Sequence, residues 1–396
     1  MAESTKVQEK RQNLLSSMQT IVSHDNHDDS HHGAATMPMY QSNVFTFNEH
    51  EAFEKALQNK LDHTVYTRGN NPTVNFLEER ISLLEGGEAS RCFSSGMAAI
   101  SSAILSTVKA GDHVLCVDQV YADTKKFLHE YLSRFGITTT FFEGKDILSL
   151  QQALQSNTKL IYLESPTSTF MELQDLERCA EIAKSIGATT IIDNTWATPC
   201  FQNPLKLGID LVVQSLSKYV GGHSDAMGGV VVGSRERLDS IARNEFMLLG
   251  GILSPYNANL IMRGLRTLPL RMGIFQRQGL EVAQFLEKQS FITKINHSGL
   301  TSYPQHELAE KQMNGYSSLF SFEVNIPMED MRIWANSLKY FGMGVSWGGY
   351  HSLIKLTESH HSQKTVICRM YIGLEDTNEL ISDIIEAFKK IGQVCK

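Results

Sequence analysis

The sequence lacks an excess of positive charge: 36 Lys and Arg stand against 43 Asp and Glu, for a formal net charge of -7. Nucleic acid and anionic lipid both attract basic surfaces, so neither is an expected partner, and a small molecule is. It also lacks a long apolar run. The first residues, MAESTKVQEKRQNLLSS, hold nothing that reads as a signal peptide, and no later stretch approaches a membrane span. The expected location is the cytoplasm. Six cysteines (Cys92, Cys116, Cys179, Cys200, Cys368, Cys395) are scattered without CxxC pairs, several in apolar surroundings such as HVLCVDQ and ERCAEIA, which reads as reduced, buried thiols. Internal repeats, low-complexity tracts and Pro/Gly/Ser linkers are missing too. Domain limits therefore have to come from pattern.

What is present suffices for a core. Hydrophobic residues make up 42% and charged residues 20% of the 396, an ordinary globular balance at a length that favours one large and one smaller domain. From about residue 90 to 235, short apolar runs alternate with helical patterns: HVLCVD, TTTFFEG, KLIYLES, ATTIIDN, DLVVQS and GGVVVGS read as strands. Continuously apolar strands are usually buried on both faces of a parallel sheet. Between two of them, DLERCAEIAKSIGA sets Leu176, Ala180 and Ala183 on one helical face, with a stop near Gly187. This βαβ rhythm gives an α/β class with a mainly parallel sheet. Beyond about residue 255 come long helices, then strands in SLFSFEVN and CRMYIGLE and a final helix ELISDIIEAFKKIG, an α+β pattern.

The chemistry concentrates at two strand ends. TTIIDNTW places Asp193 at the end of one apolar strand, and VVQSLSKYVGGHSD places Lys218 just past the next. Ligands of open α/β sheets sit outside the carboxyl ends of the strands, so both residues point to one crevice. A lysine amine with a carboxylate is the pair that pyridoxal phosphate (PLP) uses, the amine forming a Schiff base and the carboxylate keeping the pyridine nitrogen protonated. Alone, a lysine after a strand is ordinarily a solvated surface residue. CFSSGMAAI puts Ser94, Ser95 and Gly96 before an apolar helix, whose free N–H groups suit a phosphate, although small residues there also allow close packing. Ser215 and Ser217 flank the lysine and suit two further phosphate hydrogen bonds, or are plain strand-edge serines.

YTRGNNPT, FSSGMAAI, DNTWATP, SKYVGGHSDAMGG, RGLRTL and SWGGYHSL, in this order and at these separations, resemble the cysteine/methionine-metabolism family of fold-type I PLP-dependent enzymes. The resemblance runs from about residue 20 to the C-terminus. It implies a fold-type I PLP-dependent transferase-like α/β architecture: an N-terminal arm (1–60) on a neighbouring subunit, a PLP-binding domain (61–254) with a mainly parallel seven-stranded sheet, and a smaller α+β C-terminal domain (255–396). It implies that Lys218 is the Schiff-base lysine, that Asp193 pairs with the pyridine nitrogen, and that Tyr121 stacks on the cofactor ring. Gly96, Met97, Ser215 and Ser217 would hold the phosphate, joined by Tyr66 and Arg68 from the neighbouring subunit of a homo-oligomer, a dimer of dimers. Arg369 would grip the α-carboxylate of an amino-acid substrate, with Ser346 beside it.

Three positions depart from the pattern. Ser168 in ESPTST stands where many members carry an asparagine near cofactor and substrate. YADT replaces YGGT and brings Asp123 to the pocket, and Val345 replaces a tyrosine often seen before SWGGY. Trp347 favours α,β-elimination of cystathionine or another S-substituted cysteine, because relatives acting at the γ-carbon often read SLGG; a γ-lyase or γ-synthase is the alternative, and a non-catalytic binding protein the alternative of another class. His24, His27, His31 and His32 lack the fixed spacing of a metal site. Trp196 and Trp334 read as core or interface aromatics.

Overall fold

A computed structural model describes residues 18–24, 31–358 and 365–395. Seven strands form the larger sheet: β1 (Ala89–Phe93), β2 (His113–Val117), β3 (Thr138–Phe142), β4 (Thr158–Glu164), β5 (Thr189–Asp193), β6 (Leu211–Ser215) and β7 (Gly229–Gly233), in the order β1-β7-β6-β5-β4-β2-β3. β2 through β6 pair in parallel, and β7 runs antiparallel to both β6 and β1. The apolar runs are strands because helices cover both faces: all five residues of β2 and of β7 are buried. The covering helix Leu176–Ser185 buries Leu176, Ala180 and Ala183 as the pattern requires, and Gly187 follows it at φ 66°.

The chain order reverses between β2 and β4, since β3 lies outside β2 and the later strands build the other way. Such a switch point opens a crevice at the carboxyl ends. The segments after β2 and β4 therefore meet there.

The second sheet contains β8 (Ile292–Asn296), β9 (Leu319–Val324), β10 (Gly342–Met343), β11 (Leu353–Glu358) and β12 (Val366–Tyr371), in the order β10-β11-β12-β9-β8. β12 is central, antiparallel to both neighbours, with Arg369 opposite Lys355 and Ser321. Trp334 is fully buried, 5.0 Å from Phe388 and 6.0 Å from Phe322 between ring centres. Trp196 joins the two parts by donating from Nε1 to the Leu319 carbonyl at 3.0 Å.

All six cysteines are free thiols, four of them buried. No described helix is long and apolar enough to cross a membrane. Within the expected arm, helices span Met18–Ser23 and His50–Gln58. His27 lies outside the described residues, and His31 Nδ1 lies 2.9 Å from the Tyr40 hydroxyl.

Candidate active site

β5 and β6 deliver the first two groups. Asp193 ends β5, and one of its oxygens accepts from the Thr195 backbone N–H at 2.9 Å and from the Thr195 hydroxyl. Thr195 Oγ1 in turn accepts from the Ser215 N–H at 2.8 Å, locking the two strand ends together. Burial pushes the Asp193 carboxyl up, against the pull of Thr195 and Lys218.

Lys218 lies in the tight turn after β6, where Gly222 N–H returns to the Lys218 carbonyl at 2.8 Å with Gly222 at φ 69°. The buried Arg271 guanidinium holds this turn from behind, donating to the carbonyls of Tyr219 (2.6 Å), Val220 (3.3 Å) and Gly264 (2.7 Å). From the other part of the chain, Ser346 Oγ accepts from Lys218 Nζ at 2.9 Å, and the Trp347 ring centre is 5.8 Å from the same nitrogen. Gly348, at φ 86°, has no room for a side chain, because a Cβ there would lie 2.7 Å from the Lys218 carbonyl carbon. The lysine amine is held below its ordinary range, first by burial and then by Arg369, with Asp193 opposing.

The helix Gly96–Leu105 starts beside this turn, with Ser95 as N-cap accepting from Ala98 N–H at 3.1 Å. A Cβ on Gly96 would lie 2.9 Å from Ser215 Cβ, and one on Gly229 would lie 2.2 Å from the Ser95 carbonyl oxygen. Glycines thus let the helix start press on the ends of β6 and β7. Its first N–H groups have no acceptor within the helix. Ser217 Oγ accepts from Gly228 N–H at 3.0 Å, and Met97 Sδ lies 3.9 Å from Thr124 Oγ1. A desolvated amine, a carboxylate at the next strand end and a helix N-terminus abutting Ser215 fit the donor set that PLP requires.

Tyr121 and Glu164 form the opposite wall. Glu164 ends β4 and is buried; its two oxygens accept from Tyr121 N–H at 2.7 Å and Ser168 N–H at 2.9 Å. Burial, reinforced by the Asp193 charge, pushes its carboxyl up to about 7. The Tyr121 hydroxyl donates to Asp123 Oδ2 at 2.7 Å, and this bond, with burial, pushes the phenol up to about 12. Arg369 donates to the Val345 carbonyl at 2.6 Å and is lowered by burial, with Glu164 and Tyr121 counteracting.

Lys218, Asp193, Ser215, Ser346, Trp347, Arg369, Tyr121 and Ser168 are thus linked around one crevice. Tyr66 and Arg68 pair with each other instead, the guanidinium 5.5 Å from the Tyr66 ring centre, both exposed. Sequence reasoning missed Glu164, Arg271 and Gly348. An acidic residue ending the apolar run KLIYLES was the available signal for Glu164; nothing local marks Arg271.

Residues 19–389 match the family model described as Cys/Met metabolism PLP-dependent enzyme. The chain is 36% identical over 391 residues to the L-methionine gamma-lyase of Pseudomonas putida, covering 95% of this chain and 98% of that one. It is 36% identical over 373 residues to the cystathionine gamma-lyase of Bacillus subtilis (91% and 95% covered). Against the cystathionine beta-lyase of Lactococcus lactis subsp. cremoris it is 34% identical over 389 residues (95% and 100%). The crystal structure of metB from Corynebacterium glutamicum superposes with a TM-score of 0.88 at 31% identity, covering 95% of this chain and 98% of that one.

Proposed function

The chain belongs to the Cys/Met metabolism PLP-dependent enzyme family, and from that premise we propose that it is a carbon–sulfur β-lyase. Its substrate is cystathionine or another S-substituted cysteine, cleaved by α,β-elimination to a thiol, pyruvate and ammonia. When bound, PLP supplies the electron sink for the substrate Cα. Lys218 would hold it covalently, with Asp193 for the pyridine nitrogen, Tyr121 for the ring, and Gly96, Met97, Ser215 and Ser217 for the phosphate. Tyr66 and Arg68 complete the phosphate site of a neighbouring subunit in a homotetramer of two dimers.

Arg369 receives the substrate α-carboxylate, for which its planar fork is suited, with Ser346 and Ser168 nearby. Lys218, its amine lowered by burial, takes the α-proton as general base. The C–S bond then breaks with its electron pair on sulfur, and the proton carried by Lys218 converts the thiolate to the departing thiol; the three-carbon enamine left behind takes up one water and falls to pyruvate and ammonia.

The observation that carries β- over γ-elimination is Trp347. Its indole is buried, packs on the Tyr219 ring at 5.3 Å between centres, and stands 5.8 Å from Lys218 Nζ. Elimination at the β-carbon needs one C–H proton removed, whereas γ-elimination needs a second, from Cβ, and so a longer sweep of the amine. The indole limits that sweep. Gamma-elimination is the second reading, favoured by the γ-lyase names of several relatives. Trp347→Leu should raise the ratio of 2-oxobutyrate to pyruvate formed from cystathionine by about tenfold, the low end of what one pocket side chain is worth. An unchanged ratio contradicts the assignment.

A further inference from the structure

Asp123 has no part in the steps above, yet it sits at the edge of the crevice with its Oδ2 2.7 Å from the Tyr121 hydroxyl. Tyrosine has one O–H to donate. Once that proton is directed at Asp123, the phenol oxygen offers a substrate only lone pairs. An ionised carboxylate is itself an acceptor with room for several donors. Asp123 is itself exposed, so its carboxylate can meet an incoming molecule.

The cations that approach this pair are committed elsewhere. Among the described residues no Lys or Arg forms an ion pair with Asp123. Lys125, in the same helical turn, donates to the Asp118 carbonyl at 3.0 Å. The charged groups acting on Tyr121 are Asp123 from its own segment, Glu164 from the end of β4 and Arg369 from β12. Glu164 has both oxygens engaged by backbone N–H groups, and Arg369 is bonded to the Val345 carbonyl. A phenol pushed up to about 12 stays neutral at working pH, so it accepts hydrogen bonds and does not remove protons.

We propose that Asp123 and the Tyr121 hydroxyl form a cation-accepting subsite at the mouth of the crevice, which selects substrates whose leaving thiol carries an ammonium group. The proposal rests on the carbon–sulfur lyase reading and adds the class of leaving group. An ammonium there would donate to Asp123 and to the phenol oxygen together, while Arg369 holds the α-carboxylate.

The test compares S-(2-aminoethyl)cysteine with S-propylcysteine, two conjugates of similar size that differ in the charge of the leaving group, by following thiol release. The wild type favours the ammonium conjugate in kcat/KM. Asp123→Asn keeps an acceptor for the Tyr121 proton but removes the charge; it lowers the preference about fivefold, the upper end for a partly screened charge pair, with the loss in KM. Raising the salt to about 0.5 M lowers the wild-type preference and leaves that of the variant in place. A wild type without preference, or a variant that keeps it, overturns the subsite. If cysteine conjugates release no thiol, the β-lyase reading fails separately. The same comparison then runs on the aminoethyl and propyl conjugates of homocysteine and decides the subsite alone.

Discussion

Lys218 is where opposing influences meet: burial and Arg369 lower its amine, and Asp193 pulls the other way. An amine that gives up its proton more readily than a free lysine is the consequence, and it makes a specific prediction. Lys218→Ala should lose both turnover and the visible absorbance that the lysine–cofactor adduct gives, while circular dichroism stays that of the wild type. Turnover retained by that variant would show that another group carries the proton. At this scale the sequence was informative wherever a residue ends an apolar strand, as Asp193 does, or follows one directly, as Lys218 does. It was silent on Gly348, whose need to be glycine comes from the backbone of Lys218 lying across it. It was silent on Arg271 for the same reason, since the carbonyls that it holds at Tyr219 and Val220 are about fifty positions away.

The helix Pro72–Glu85 shows how an element carries a titrating group into the fold. Asn71 caps it by accepting from Thr73 N–H at 3.0 Å, proline opens it, and Gly86 closes it at φ 75°. Its last residue, Glu85, is fully buried beneath the strand ends, where Asn194 donates to its Oε1 at 3.2 Å and Gln214 donates to the same atom. Neither neighbour is a cation, so burial pushes the carboxyl up to about 8, only partly offset by these two amides. In the unfolded chain the same group titrates near its ordinary value of 4.5. Between those values the folded state keeps a proton that the unfolded state has lost. Stability therefore falls as pH rises from about 4.5 to about 8 and levels above that. Glu85→Gln keeps an acceptor for both amides and removes the titration. In urea unfolding, the variant should be more stable than the wild type by roughly 1–3 kcal/mol near pH 8.5, with the gap closing near pH 5. Parallel curves across that range would mean that Glu85 does not titrate as its burial requires. β2 and β4 to β7 were legible because their runs are continuously apolar, whereas β1, with Arg91 inside ASRCF, was not read as a strand. β8, with two exposed residues in ITKIN, and the two-residue β10 gave no such signal. β7 was legible as a strand, but its antiparallel direction is set by its pairing with β6 and β1, which no local pattern encodes.

At the scale of the whole molecule, the crevice is built from two sheets. Asp193 and Lys218 come from the end of β5 and the turn after β6, while Ser346 and Trp347 come from the loop between β10 and β11 and Arg369 from β12, with Trp196 joining the two parts at Leu319. The contact between Lys218 and Ser346 spans 128 positions, so only the recurrence of whole motifs in order, SKYVGG and later SWGGYH, hinted that they meet. Tyr66 and Arg68 lie on the outside of the single chain, paired with each other. Which side of sulfur is cut separates a β-lyase from a γ-lyase. Cystathionine decides this most directly, since cleavage on its cysteine side gives homocysteine, pyruvate and ammonia, and cleavage on the other side gives cysteine, 2-oxobutyrate and ammonia. With the purified holoenzyme, pyruvate and homocysteine should form in equal amounts and dominate; a product mixture dominated by 2-oxobutyrate and cysteine would contradict the β-lyase assignment.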